Sequence, residues 1–138
     1  MSSEKDASQT KILEPIIPKG RGHRLCYGFP IRKTQCAQFG KGVEGFTEAE
    51  FEFMTIANDV WPVRIHRSEF VWVKDFPEQR NRVYMIALAD TKNKYGADKP
   101  PPEVIEEMAI AFGEVGVFDK PDWFHAIECD RCDLIDRV

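Results

Sequence analysis

Residues 68–90, SEFVWVKDFPEQRNRVYMIALAD, decide the fold of this chain. The runs 68–76 and 82–90 are rich in β-branched and aromatic residues, which favours two strands joined by a turn. Apolar residues occupy both faces of these strands, since Phe70 and Trp72 alternate with valines along the first one. The sheet must therefore be covered on both sides, because a large apolar surface is rarely left exposed.

The segments on either side of this pair complete an α+β pattern. Residues 23–31 alternate between apolar and other residues and predict a first strand, and residues 122–128 predict a last one. One helix is predicted before residue 62 and a second over residues 102–113. The order β-α-β-β-α-β is that of a ferredoxin-like sandwich, in which both helices cover the same face of the sheet.

The predicted start of the first helix rests on a local signal. Thr47 and Glu50 have the spacing of a capping box, and Phe46 and Phe51 have that of a hydrophobic staple. Pro62 ends this helix. Its apolar stripe consists of Ala49, Phe53, Ile56, Ala57 and Val60. The stripe of the second helix consists of Val104, Ile105, Met108, Ala109 and Phe112.

Length and composition are those of one domain. The chain has 138 residues, 43% of them hydrophobic, and its net charge is −4. Residues 1–10 are polar and small and predict a disordered tail, and residues 11–138 predict a single α+β domain. No apolar run reaches about 18 residues, so no membrane contact is predicted. The first residues also lack an apolar signal, which predicts a reducing, cytoplasmic location.

The second apolar face of the sheet must be covered by something. The candidates are a second subunit, the N-terminal segment and a ligand in a cavity. A dimer closed sheet to sheet over a cavity resembles the dimeric α/β-barrel class. Residues 45–51, GFTEAEF, are similar to the junction of loop and first helix in some members. Trp61-Pro62 stands where such members often have His-Pro. The resemblance implies a homodimer that holds a small ligand between the sheet and the partner.

Aromatic residues of the predicted strands are candidates for the walls of this cavity. The candidate ligand-binding residues are Tyr27, Phe70, Trp72, Tyr84 and Trp123. Segments 62–69 and 121–128 share one pattern. Each reads Pro, two variable residues, an apolar residue, His, two more residues and Glu. On a strand such a His and Glu face opposite sides, so only the histidines, His66 and His125, would enter a shared cavity.

Three residues are candidates for acid–base catalysis. His66 and His125 have the side chain best suited to proton transfer near neutral pH. The alternative is that His66 is a loop residue and His125 a core histidine. Asp90 ends the third predicted strand, where a catalytic carboxylate is often found. The alternative, which we favour, is that the Asp90 side chain caps the turn that follows.

The cysteines raise the question of a metal. Cys129 and Cys132 form a C-x2-C pair, a spacing that lets two thiolates bind one zinc ion. His23 with Cys26, or Cys26 with Cys36, would supply the other ligands. The alternative is four thiols without a metal, which the irregular spacing of the second half favours. No other cofactor is predicted.

Charge is distributed unevenly along the chain. Residues 15–43 contain six basic and no acidic residues, whereas residues 100–138 contain ten acidic and three basic ones. The two regions either lie together in the fold, which we favour, or the first one binds an anion. Lys19, Arg21 and Arg24 are the candidate anion-binding residues. The negative overall charge makes a nucleic-acid partner the less favoured option.

The leading hypothesis is a small-molecule domain that holds an apolar or aromatic ligand. As an enzyme it would be a cofactor-free cyclase, isomerase or dehydratase that uses a histidine as acid or base. One alternative is a binding module without chemistry, in which residues 19–41 meet an acidic or nucleic-acid partner. Another is a protein-interaction domain with a zinc-bound C-terminus. The sequence contains no phosphate-binding or dinucleotide-binding glycine motif.

Overall fold

A computed structural model of the chain describes residues 13–16, 24–62, 67–74, 81–91 and 99–127. These ranges contain β1 (Leu25–Ile31), α1 (Lys33–Ala37), α2 (Gly42–Val60), β2 (Arg67–Trp72), β3 (Arg82–Asp90), α3 (Pro102–Gly113) and β4 (Asp122–His125). The predicted α+β class is confirmed. None of the helices in the described part of the chain has the length and hydrophobicity that crossing a membrane requires. The predicted tail, residues 1–10, lies outside the described residues.

The strands form one antiparallel sheet in the order β2-β3-β1-β4. β3 lies inside the sheet and all nine of its residues are buried, as the apolar run between Arg82 and Asp90 predicts. The register of β1 against β3 shifts between Tyr27 and Gly28. β1 begins at Leu25 and β4 ends at His125, so both strands are shorter than predicted.

The helices α2 and α3 pack on one face of the sheet and form the larger core. From the helices this core contains Ala49, Phe53, Ala57, Met108 and Phe112, and from the strands Tyr27, Phe29, Ile31, Tyr84, Ile86 and Leu88. Ile56 and Val60 are partly buried against it, so the predicted stripe of the first helix is confirmed. Ala109 is exposed, which corrects the predicted stripe of the second helix.

The second face of the sheet is covered by the chain itself. Its apolar residues are all buried: Leu13, Cys26, Val71, Val73, Val83, Met85, Ala87, Phe124 and Ala126. The sheet curls until the chain after β4 reaches β2, where Val71 and Ala126 form an antiparallel bridge. The N-terminal segment adds a second bridge, between Pro15 and Val73. A second copy of the chain is therefore not required to cover this face.

The predicted start of the first helix is wrong. α2 begins at Gly42 with Lys41 as the N-cap residue, so Thr47 lies within the helix. Phe51 is 69% exposed and makes no staple with Phe46. The earlier start depends on a tight approach of the preceding turn, because a Cβ on Gly45 would lie 2.1 Å from the Gly40 carbonyl oxygen. Such an approach depends on tertiary packing, which the local capping pattern does not contain.

Candidate functional site

A cavity of about 650 Å3 opens between the helical segment 33–46 and the β2–β3 part of the sheet. We call it the α1–α2 cavity. Its lining residues are Ile31, Lys33, Cys36, Ala37, Gly40, Lys41, Gly42, Val43, Phe46, Phe70, Arg82, Val83 and Tyr84. Small-molecule sites have volumes of about 300–1,000 Å3 and mostly apolar walls, and this cavity has both properties.

Three aromatic rings form one wall of the cavity. Phe70 of β2 and Tyr84 of β3 lie opposite each other in the strand register, with ring centroids 6.2 Å apart. Phe46 of α2 covers both, at 5.9 Å from the Phe70 ring and 4.9 Å from the Tyr84 ring. The structure thus brings together two of the five predicted ligand-binding residues and adds Phe46.

Lysines and one arginine supply the charge of the cavity. Lys33 is the first residue of α1 and Lys41 precedes α2, and both side chains are exposed. Arg82, the first residue of β3, is only 2% exposed. None of the described residues that line the cavity is acidic. The cavity therefore has a positive local charge in a chain whose net charge is −4.

The deep end of the cavity contains a buried phenol. Tyr84 is 4% exposed, and its hydroxyl finds no hydrogen-bond partner of good geometry within the described ranges. Ser68 lies near it but donates its own hydroxyl to Glu50. Burial, and then the nearby Glu50, raise the pKa of the Tyr84 phenol above its usual range. Tyr84 is therefore neutral at physiological pH and keeps its proton available for donation.

Cys36 places a thiol at the same cavity. The side chain projects from α1, and the residue is 9% exposed. Burial raises the pKa of this thiol to about 11. Because the thiolate is the nucleophile and the metal ligand, Cys36 is unreactive at neutral pH and acts as an apolar part of the wall.

Polar contacts hold α1 in place as the roof of the cavity. The Arg32 guanidinium donates two hydrogen bonds to Asp119, from Nε at 2.7 Å and from Nη2 at 2.9 Å, and the Asp119 side chain is fully buried. Gln35 donates from Nε2 to the Gly116 carbonyl at 2.7 Å. These bonds tie α1 to the turn after α3 and so fix the position of the helix that forms one wall of the cavity.

The remaining predicted aromatic residues lie elsewhere. Tyr27 of β1 and Trp123 of β4 form a ring pair with centroids 5.4 Å apart, at the other edge of the sheet. His125, on the same strand as Trp123, is half-buried and pairs with Leu25. Trp72 is half-buried and is not among the lining residues. The predicted aromatic wall is therefore divided between two places in the sheet.

Asp90 and Arg24 belong to a cluster of ion pairs beside the second core. Arg24 donates from Nη1 to Asp90 Oδ2 at 2.5 Å and from Nη2 to Glu69 Oε1 at 2.9 Å. Arg67 also donates to Asp90, and its Nε lies 3.3 Å from Glu69 Oε2. Asp90 is 5% exposed. The Asp90 carboxylate thus accepts hydrogen bonds from two guanidinium groups. None of the residues of this cluster lines the α1–α2 cavity.

The predicted metal site can be described only in part. Cys26 is buried in the second core and Cys36 in the helix-side core, so the fold does not bring these two thiols together. Burial raises the pKa of the Cys26 thiol to about 12. Across the ranges given above, no group of three or more His, Cys, Asp or Glu side chains is placed to hold a metal ion. His23, Cys129 and Cys132 lie outside the described residues, as do His66, Lys19 and Arg21.

Among the lining residues that sequence reasoning missed are one aromatic and three basic side chains. Phe46 was interpreted as a local staple, and Lys33 and Lys41 were counted only as members of a basic segment. Arg82 was treated as the start of a strand. A signal existed for the lysines, since residues 15–43 contain no acidic residue to neutralise them. Their convergence with β2 and β3 depends on the path of α1, which the sequence analysis did not predict.

Comparison of the chain with protein-family models, curated proteins and solved structures found no match in any of the three.

Proposed function

We propose that this domain binds a small organic molecule with an apolar, largely aromatic body in the α1–α2 cavity. The observation that carries the proposal is the aromatic wall of Phe46, Phe70 and Tyr84 in a cavity of about 650 Å3. Aromatic rings pack favourably against such walls in offset or edge-to-face arrangements. The few polar groups at the wall would then fix the orientation of the ligand.

This proposal places the ligand within one chain, whereas the sequence analysis expected it between the sheet and a partner. Placing the ligand within one chain is supported by the second face of the sheet, which Leu13 and the Val71–Ala126 bridge bury without a partner. The homodimer and the dimeric α/β-barrel arrangement stay predictions. We further propose a ferredoxin-like topology, which the antiparallel order β2-β3-β1-β4 and the helices on one face support.

The proposal includes no reaction. Neither His125 nor Asp90 is among the residues that line the cavity, and His66 lies outside the described residues. Acid–base catalysis by these three residues therefore stays a prediction, as does anion binding by Lys19, Arg21 and Arg24.

Titration calorimetry with naphthylethanol, a neutral aromatic probe, tests the proposal. We expect saturable binding at one site per chain. Ala37 lines the cavity and is exposed, so Ala37→Trp introduces an indole at the rim without filling the core. This variant should bind the probe at least about tenfold more weakly, which corresponds to about 1.4 kcal/mol.

Ala109→Trp is the matched control, because Ala109 is exposed on α3 and lies outside the lining. It should bind the probe as the parent chain does. In a second measurement at pH 10, where a fraction of the buried Cys36 thiol is ionised, the probe should slow alkylation of Cys36, read by peptide mapping, and leave Cys26 unchanged. Equal binding by both tryptophan variants, or no protection of Cys36, would contradict the proposal.

A further inference from the structure

We infer that the ligand of the α1–α2 cavity is an anionic amphiphile, with one carboxylate or similar anion attached to its apolar body. The inference rests on the proposed function and adds to it the charge of the ligand. It also assigns the anion to the Lys33 and Lys41 end of the cavity and the apolar body to the aromatic end.

The distribution of charge in the cavity favours an anionic ligand. Lys33 is the first residue of α1 and Lys41 directly precedes α2, and both line the same cavity. Since none of the described lining residues is acidic, no carboxylate among them offsets the charge of the two lysines. A cleft lined by one sign of charge attracts ligands of the other sign.

An apolar surface lies next to these lysines and favours a ligand with an apolar body. Val43 follows Lys41 closely in sequence, lines the cavity and is 82% exposed. Phe46, one turn further along α2, continues this surface toward Phe70. A small inorganic anion would lose part of its hydration against these side chains and gain no apolar contact in return. An amphiphile satisfies both ends, because its body covers the apolar surface while its anion meets the lysines.

The shape of the cavity favours a free molecule over a membrane surface. The rings of Phe46, Phe70 and Tyr84 contact one another inside the cavity, and Tyr84 is 4% exposed. A membrane-binding protein instead presents its apolar side chains outward into the headgroup region. The ligand therefore enters as a single molecule, and we commit to a soluble aromatic or aliphatic carboxylate.

A matched pair of probes tests this inference by titration calorimetry. Naphthylacetate carries a carboxylate, and naphthylethanol has almost the same shape without the charge. We expect the parent chain to prefer the acid at low salt and to lose the preference as salt is added, because exposed charges are screened. The double variant Lys33→Ala/Lys41→Ala should bind the acid about threefold to tenfold more weakly. Its affinity for the alcohol should change less than about twofold.

The double variant Lys99→Ala/Lys120→Ala is the control, since both residues are exposed, lie outside the lining and lose the same total charge. It should bind both probes as the parent does. Binding of the alcohol with no preference for the acid would overturn the inference and leave the proposed function intact. Failure of both probes to bind would overturn both proposals. Sedimentation with phosphatidylglycerol vesicles, without binding of the free acid, would replace the soluble ligand by a membrane.

Discussion

Gly28 illustrates how a single position controls the packing of the sheet. A Cβ at this residue would lie 1.9 Å from the Ile86 carbonyl oxygen and 2.9 Å from the methyl carbon of Met85. β1 and β3 thus approach each other here more closely than any side chain allows. The register shift between Tyr27 and Gly28 lies at the same place, so this glycine permits the local bend of β1.

We predict that Gly28→Ala lowers the free energy of unfolding by about 2–4 kcal/mol, because the backbone of β3 must move to admit the methyl group. Gly113→Ala is the control, since the nearest atom to its Cβ, in the Phe118 ring, is 4.0 Å away. That variant should be unchanged or more stable by up to about 1 kcal/mol. Urea unfolding of both variants checks this, and equal stabilities would contradict it.

Cys36 predicts a dependence of stability on alkaline pH. Burial raises the pKa of its thiol from the ordinary 9.0 to about 11. Between these values the unfolded chain releases a proton that the folded chain keeps, so stability falls as pH rises through this window. The loss is about 1.4 kcal/mol per pH unit for one proton. Below the window both states are protonated and this contribution is constant.

Urea unfolding of the parent chain and of Cys36→Ala, compared from pH 8 to 11, tests this prediction. The variant is expected to be less stable at pH 8, since it loses a buried side chain. The difference in free energy of unfolding between the two proteins should shrink toward pH 11. Only the parent loses stability there, because only its unfolded chain releases the Cys36 proton that the folded chain keeps. Cys26 is present in both proteins and cancels. A difference that stays constant over the whole range would mean that the thiol is not perturbed.

At the scale of elements, α1 and the early start of α2 form the candidate site. Lys41, Val43 and Phe46 line the cavity only because the helix begins at Gly42. A helix starting after Thr47 would leave all three in a loop. The close contact of Gly40 with Gly45 fixes this start, since the Gly40 carbonyl carbon would lie 2.5 Å from a Cβ on Gly45.

Two substitutions distinguish the observed start from the predicted one. Thr47 is exposed within α2, so Thr47→Ala should change the free energy of unfolding by less than about 0.5 kcal/mol. An N-cap threonine would instead lose about 1 kcal/mol. Gly45→Ala should be destabilising by more than about 2 kcal/mol, because its methyl group meets the Gly40 backbone. Thermal and urea unfolding measure both, and the reverse ranking would support the cap.

At the scale of the whole molecule, the sheet is apolar on both faces and the chain buries both of them. Helices cover one face, and the curled sheet and the segment around Leu13 bury the other. Backbone hydrogen bonds fix this closure, since the Ile127 amide donates to the Phe70 carbonyl at 2.9 Å and the Lys74 amide to the Glu14 carbonyl at 3.0 Å. The two cores thus share the sheet as a common wall.

A substitution at Leu13 tests whether the N-terminal segment covers the second face of the sheet. It is 2% exposed, so Leu13→Ala should lower the free energy of unfolding by about 2–4 kcal/mol. Its neighbour Glu14 pairs with Lys74 at 3.4 Å, with both side chains more than half exposed. Glu14→Ala should therefore cost less than about 1 kcal/mol. If urea unfolding shows Leu13→Ala to be as mild as Glu14→Ala, the N-terminal segment does not cover the second face.

Sequence patterns by themselves determined the α+β class, the four strands, the stripe of α2 and most of the stripe of α3, where only the exposed Ala109 departs from the prediction. The apolar run of β3 between Arg82 and Asp90 and the stripe of Ala49, Phe53 and Ala57 follow directly from the local sequence pattern. The pairing of Phe70 with Tyr84 does not follow from these patterns, because a turn directly between the predicted strands 68–76 and 82–90 would place Phe70 opposite Leu88. The sequence named both rings as candidates for a cavity wall without predicting their register.

Only the tertiary structure decided what covers each face and where a cavity forms. The contact of Val71 with Ala126, the path of α1 and the convergence of Lys33 and Lys41 on β2 and β3 all join residues distant in the chain. Such contacts depend on how the sheet twists and curls and on close backbone approaches at Gly28 and Gly45. No periodicity or capping pattern within a few residues contains that information, because burial is a property of the assembled layers.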